Sequence, residues 1–247
     1  MENDSVGAAS DLFGAGAEAS ERGVPCPYGQ PHEHRALYFV SESCEGARYE
    51  EAMKDGWRRS GLVFYRNRCS ECCEACVPIR VDAENIEPGK TQRRIIRMNE
   101  DLSVSAARAS FEAEDYALFM KYMRTRHPEE AKEFDEMTYY RAYVASPVET
   151  AIVRYRTTDG RLVALSWLDA LADGFSSVYF AFDPDEARRS LGVYSVFAES
   201  AILRSLGKRW YYLGFWVSAC RKMAYKSGFR PHQIAKDGEW VCCTNSD

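Results

Sequence analysis

The chain has 247 residues, 46% of them hydrophobic and 13% aromatic, with a formal net charge of −5. That length holds one large domain or two small ones around a substantial apolar core. The lack of a long uncharged apolar run excludes a membrane-spanning helix, and the acidic balance speaks against a broadly basic nucleic-acid-binding domain.

Residues 1–24 are rich in Ala, Gly, Ser and Glu and lack the basic start and apolar stretch of an export signal. They read as a disordered leader, and the matching expectation is a cytoplasmic protein whose nine cysteines are thiols or ligands. Residues 45–55 predict a short helix closed by Gly56, and Leu62–Tyr65 a strand. Val77, Ile79 and Val81 alternate as in a second strand. Gln92–Asn99 predicts a basic helix and Leu102–Val104 another strand. Glu112–Arg126 is amphipathic, and Phe134–Tyr143 reads as a further helix. After Pro147 the texture turns to β. Strands at Val148–Tyr155, Leu162–Ala172 and Ser176–Phe182 are joined by turn signals at Asp159-Gly160 and Asp173-Gly174. A helix over Ser190–Leu206, a strand at Trp210–Leu213, a helix near Ala219–Lys226 and an edge strand at Trp240–Cys243 complete the order. This succession predicts an α+β fold with one mixed sheet flanked by helices.

Three local patterns point to chemistry. Cys69, Cys72, Cys73 and Cys76 fall within eight residues, close to Arg58, Arg59 and Arg80. Clustered thiols beside arginines suggest a metal-capable site next to an anion receptor. Lys90, Arg93, Arg94 and Arg97 give a basic helix face suited to phosphates, or simply a solvated one. Arg189-x-x-Gly192 opens a helix, where backbone N–H groups and a guanidinium favour an anion.

Read together, several collinear segments carry more than any one alone. Gly56–Gly61, Cys76–Val81 and Gln92–Arg94 resemble the N-terminal region of the tRNA-dependent protein aminoacyltransferases, which include arginyl-tRNA–protein transferases and bacterial aspartate/glutamate leucyltransferases. Asp173–Tyr179, Phe182–Pro184, Arg189–Tyr194, Tyr212–Gly214 and Lys222–Lys226 resemble its C-terminal, GNAT-like region. The resemblance spans about Cys26 to Trp240 and divides the chain into a leader (1–24), an N-terminal acceptor and thiol region (25–105) and a catalytic region (106–247). It implies transfer of leucine, or phenylalanine, from aminoacyl-tRNA to the α-amine of proteins that begin with Asp or Glu, marking them for N-degron degradation.

The implied chemistry is aminolysis of an activated ester, which requires no cofactor. Asp169 interrupts an apolar strand and is the first candidate proton acceptor, with Asp183 a rival. Tyr179 and Tyr194, within the matched segments, are further catalytic candidates. Arg58, Arg59 and Arg80 are expected to hold the acceptor's carboxylate, with Arg189, Gly192, Lys222 and Lys226 contacting substrate. Lys90, Arg93, Arg94 and Arg97 are expected on tRNA phosphates. In the arginyl branch an N-terminal Cys-x-x-Cys and a later Cys-Cys are associated with zinc or an iron–sulfur cluster. Here only Cys26 of the first pair is present and the later pair reads Ala75-Cys76. Cys26, Cys69, Cys72 and Cys76 form the candidate ligand set for zinc or a cluster. Other readings are an arginyl donor with the same acceptors, an acyl-coenzyme A GNAT enzyme (against which Tyr194 in the phosphate loop speaks), a non-catalytic thiol-based metal or redox sensor, and a family member that only binds acidic N-termini.

Overall fold

The computed structural model describes residues 18–19, 23–69 and 73–243. Most of the expected leader, and Cys72 of the candidate ligand set, lie outside the described residues. The described chain is α+β, with an eight-stranded mixed sheet flanked by helices and a four-stranded antiparallel sheet at one end.

In chain order the strands are β1 (Glu18–Ala19), β2 (Val24–Pro25), β3 (Glu33–His34), β4 (Ala36–Val40), β5 (Trp57–Ser60), β6 (Val63–Asn67), β7 (Val77–Asp82), β8 (Ser103–Arg108), β9 (Thr150–Arg156), β10 (Leu162–Ala170), β11 (Gly174–Phe182), β12 (Trp210–Trp216), β13 (His232–Lys236) and β14 (Glu239–Cys242). The helices are α1 (Gly46–Lys54), α2 (Lys90–Met98), α3 (Ala113–Arg126), α4 (Glu136–Tyr139), α5 (Leu191–Ser205) and α6 (Arg221–Ala224). The small sheet runs β1-β4-β6-β5 and the large one β14-β13-β7-β12-β11-β10-β9-β8. The large sheet therefore draws β7 and β8 from the N-terminal half, and β8 runs across position 105.

Three apolar layers hold these parts together. α5 buries Leu191, Val196 and Leu203 against Val163, Leu168 and Tyr211 of the large sheet. On β10, Leu165 and Trp167 serve a second layer with Phe119, Met120 and Met123 of α3. The third layer packs Tyr49, Ala52 and Met53 of α1 on Leu37, Phe39, Trp57 and Phe64 of the small sheet. Side chains that alternate along a strand serve opposite faces, so a fully buried strand such as β10 reads as a continuous apolar run.

Most expected elements form. Helix α1 ends at Gly56, whose φ of +87° and N–H bond to the Met53 carbonyl make the expected stop. Two expected helices are broken instead. Over Phe134–Tyr143 there is one α-turn, capped by the Asp135 carboxylate on the Thr138 N–H at 2.7 Å, then a π-helical turn over Tyr140–Val144. The wider turn seats Tyr139 and Tyr143 on Trp167, with ring centres 5.9 and 4.9 Å away. The helix expected near Ala219–Lys226 shortens to α6 and a 3₁₀ turn over Tyr225–Gly228, because Lys226 turns inward. Strands β4, β5 and β13 were not expected. In β5, two arginines replace the apolar alternation by which a buried strand is usually recognised.

Strands β11 and β12 form the parallel pair of the large sheet, and their register covers only Gly174↔Trp210 to Ser176↔Tyr212. A Cβ at Gly174 would collide with the Trp210 carbonyl oxygen, so glycine permits this close start. Beyond Ser176 no further residue of β11 pairs with β12. Gly214, at φ +77°, lies in the irregular stretch of β12 between its pairings with Arg80 and Pro78.

A cationic cleft between diverging strands

The space beyond that pairing is a cleft of about 380 Å³. Ser177, Val178, Tyr179 and Phe180 of β11 form one wall, and Tyr211, Leu213, Gly214 and Phe215 of β12 the other. Gly192, Ser195 and Val196 of α5 close one side. Lys222, Met223, Tyr225 and Lys226 cover another, and Tyr28, Arg58, Arg59 and Tyr65 of the N-terminal part complete it.

Arg58 is only 4% exposed, gives its hydrogen bonds to carbonyl groups and lies over the Phe215 ring, 4.9 Å from its centre. Its Nη1 donates to the Trp57 and Met53 oxygens at 2.5 and 3.2 Å, and its Nη2 to the Gly214 oxygen at 3.1 Å. Its Nε is buried without a hydrogen-bond partner. Burial works against its charge, and no carboxylate among the described residues pairs with it. A buried guanidinium without a counter-ion is costly, and a bound carboxylate would remove that cost.

Lys226 is the second cation. Its ammonium donates to the Leu213 and Phe215 carbonyls at 2.8 and 2.9 Å, spanning the irregular stretch at Gly214. Burial, reinforced by the charge of Arg58, lowers its pKa to about 8. An anion entering the cleft would restore its charge fully. Lys222 also lines the cleft, as do Tyr179 and Gly192 among the expected residues. The Tyr179 hydroxyl lies 3.6 Å from the Met123 sulfur, and burial raises its pKa.

Other expected residues lie elsewhere. Asp169 is fully buried and is not on the cleft wall. It forms a two-pronged pair with Arg59, at 2.7 Å to Nε and 2.5 Å to Nη2, and accepts from the Thr150 hydroxyl at 2.6 Å. Three of the carboxylate's roughly four acceptor sites are taken, and the side chain does not face the cleft. The geometry is that of a counter-ion joining the small sheet to the large one. Arg59 thus reaches the cleft already neutralised. Arg80 stacks between Trp210 and Trp240, with 3.7 and 4.5 Å to the ring centres, and bonds to Gln233 and Tyr212, away from the cleft lining. Arg189 is committed to Asp101 and Glu186. Tyr194 packs on Tyr155, and Asp183 pairs with Lys121 and Arg161.

Lys90, Arg93, Arg94 and Arg97 are all exposed on α2. This helix touches both segments that flank the cleft. Gln92 donates to the Gly228 carbonyl at 3.1 Å, and Asn99 to the Arg189 carbonyl at 2.9 Å. The anchors are on the inner side of the helix with Ile95, and the basic residues face solvent on the other.

Cys26, Cys69, Cys73 and Cys76 lie near one another. Burial, then the neighbouring Cys69 and Cys26, pushes the Cys76 thiol up to about 11. Among the described residues no three His, Cys, Asp or Glu side chains converge tightly enough to hold a metal. Cys72 of the expected set lies outside the described residues, and a thiol raised like that of Cys76 must lose its proton before it can serve as a ligand. No described helix is long and apolar enough to cross a membrane.

Three cleft features escaped the sequence reading: Ser177, Tyr211 and, behind them, Glu199. A carboxylate on the buried stripe of α5, among Leu191, Val196 and Leu203, was the legible signal.

Fold and cleft together define a cationic pocket between a sheet and a covering lysine segment, with the charge to suit an anionic ligand. The comparisons narrow that class. The family model of the arginine-tRNA-protein transferase C terminus matches residues 114–236, and that of its N terminus residues 24–94. A protein of Chromobacterium violaceum called aspartate/glutamate leucyltransferase is 38% identical over 218 residues, covering 87% of this chain and 89% of that protein. A protein of the same name from Nitrosococcus oceani is 36% identical over 218 residues, covering 87% and 91%. Among solved structures, the C-terminal domain of a putative lysylphosphatidylglycerol synthetase from Agrobacterium fabrum is similar at TM-score 0.48 and 15% identity, covering 68% of this chain and 58% of that one. The chain belongs to the arginine-tRNA-protein transferase family, and is an aminoacyl-tRNA–protein transferase.

Proposed function

We propose that this enzyme transfers leucine from leucyl-tRNA to the α-amine of proteins beginning with Asp or Glu. The observation that carries the reading is the cleft's charge. Arg58, Lys222 and Lys226 line it beside the already paired Arg59, and among the described residues no Asp or Glu does. The names of the relatives support the same donor and acceptors.

The lining separates leucyl from arginyl donors. An arginyl side chain would bring a guanidinium beside Arg58, Lys222 and Lys226 with no carboxylate of the described residues on the wall to receive it. A leucyl side chain would instead meet Val178, Phe180, Leu213, Phe215 and Met223. The acceptor's acidic side chain supplies the counter-ion that Arg58 lacks, and Lys226 gains charge when that carboxylate arrives. The acceptor's α-amine, with an ordinary pKa of about 7.7–8.0, is already partly neutral near pH 7.5. Holding amine and ester together then supplies much of the rate, and no cofactor takes part. The tRNA backbone would follow the basic face of α2 toward the cleft.

The test supplies leucyl-, phenylalanyl- and arginyl-tRNA separately to peptides starting with Asp, Glu, Lys or Ala. The expected product is leucine on the Asp and Glu peptides alone. Arginine transferred at a comparable rate would overturn the donor assignment, and equal labelling of Lys or Ala peptides would overturn the acceptor assignment.

A further inference from the structure

The segment that covers the cleft carries an aromatic side chain turned outward. Arg221–Ala224 is helical, and Tyr225 continues the turn with φ −60° and ψ −20°. Tyr225 follows Lys222 by three positions and Arg221 by four, so the three side chains share one side of that turn, and all are exposed. Tyr225 is 45% exposed and also lines the cleft. Among the described residues it is the one large apolar side chain that does both. Its ring meets Phe229 edge-on, with centres 6.0 Å apart and planes at 78°. Phe229 is itself buried and packs on Phe197 of α5, with centres 5.7 Å apart. An edge-on contact steadies a ring and cannot cover both of its faces. Tyr225 is thus anchored to the core while a flat face stays open at the cleft mouth.

The reaction has a flat group to place there. The cleft of about 380 Å³ lies near the small end of ligand pockets, which run from about 300 to 1,000 Å³. It has to receive the donor's aminoacyl group and the acceptor's first residue together. The nucleoside that carries the ester is joined to the aminoacyl group through its ribose, and would therefore lie at the mouth. A base has an apolar π-face that stacks on an aromatic ring, and the phosphates beside it are anions that suit lysine and arginine. Arg221 and Lys222 flank the Tyr225 ring, and neither forms a salt bridge with a described residue.

We propose that Tyr225 positions the aminoacyl-tRNA by stacking on its terminal adenine, with Arg221 and Lys222 meeting the adjoining phosphates. The proposal rests on the aminoacyl-transfer reading above and gives the donor's nucleoside its place in it. Stacking holds any base, so the contact fixes where the ester lies rather than which tRNA is chosen. The role involves the donor alone and makes no contact with the acceptor peptide.

The test compares two fluorescently labelled RNA hairpins by anisotropy at one salt concentration, one ending in single-stranded ACCA and one with an abasic terminal nucleotide. For the wild type, loss of the base should weaken binding roughly 10- to 100-fold, the size of one base–aromatic stack. Tyr225→Ala should bind the two hairpins within about twofold of each other, and Tyr225→Phe, which keeps the ring, should retain the wild-type ratio. A general folding defect weakens both hairpins alike, so the ratio reads the stack itself. Equal base dependence in the wild type and Tyr225→Ala, or none in the wild type, would overturn the proposal. In transfer assays Tyr225→Ala should raise the KM for leucyl-tRNA and leave that for an Asp-starting peptide unchanged, and the reverse pattern would overturn it too. The hairpin measurement needs no turnover. A wild type that binds the hairpins as expected but transfers no leucine would sink the aminoacyl-transfer reading and leave the stack standing.

Discussion

Arg58 and Arg59 are neighbours in sequence with opposite fates, and the difference lies in their partners. Arg59 meets Asp169 and becomes a structural pair with both side chains fully buried. Arg58 meets carbonyls and the Phe215 ring, and no carboxylate among the described residues. Removing one partner of a buried pair strands the other, at a typical cost of about 3–5 kcal/mol. Asp169→Ala should therefore lower the unfolding free energy by roughly that amount in urea titrations. A change of under about 1 kcal/mol would mean that the pair is not the joint between the sheets. Lys226 offers a second check at this scale. Its folded pKa of about 8 lies below that of an unfolded lysine, so between those values the unfolded chain binds the extra proton. Stability from this group therefore rises as pH increases from about 8, and is lost as pH falls through it. Buried thiols and tyrosines titrate in the same range, so the readout is a difference: the wild type should gain stability relative to Lys226→Met between pH 8 and 9.5. Parallel pH profiles of the two proteins would contradict the buried-lysine geometry.

At the scale of elements, the cleft exists because β11 and β12 part after three paired positions. The two turn signals, the β meander and the long helix that follow one another in sequence were legible from periodicity. The parting was not, since the length of pairing between Gly174–Ser176 and Trp210–Tyr212 is a relation across the sheet that leaves no local pattern. Nor was the short α6, because an inward lysine looks like any helix-face lysine until its carbonyl partners are seen. The basic face of α2 was legible as charge but not as position. Its two polar anchors, Gln92 on Gly228 and Asn99 on Arg189, fix the opposite side of the helix and leave the basic side to solvent. If it carries tRNA phosphates, exchanging Arg93, Arg94 and Arg97 for Gln should weaken leucyl-tRNA binding at low salt. The slope of log affinity against log salt should fall by about 0.7–0.9 for each phosphate that no longer meets a guanidinium. An unchanged slope would leave α2 an ordinary solvated face.

Across the whole molecule, the fold class and most of the element order could be read from the chain, whereas the joints could not. Arg59 and Asp169 are 110 positions apart, and Arg58 and Gly214 are 156 apart. Pairings of that range leave no periodic trace, so Asp169 looked like a lone charge in a strand and Arg80 like a third receptor arginine. The small sheet thus contributes to the cleft two guanidiniums, one neutralised and one not. The central claim is that the second receives the acceptor's carboxylate. Arg58→Met, which keeps much of the volume and removes the charge, tests it through the steady-state constants for both substrates. The KM for an Asp-starting peptide should rise roughly 10- to 100-fold, the size of a missing hydrogen bond to a charged group, while that for leucyl-tRNA stays near the wild-type value. An unchanged peptide KM, or an equal rise for both substrates, would contradict it.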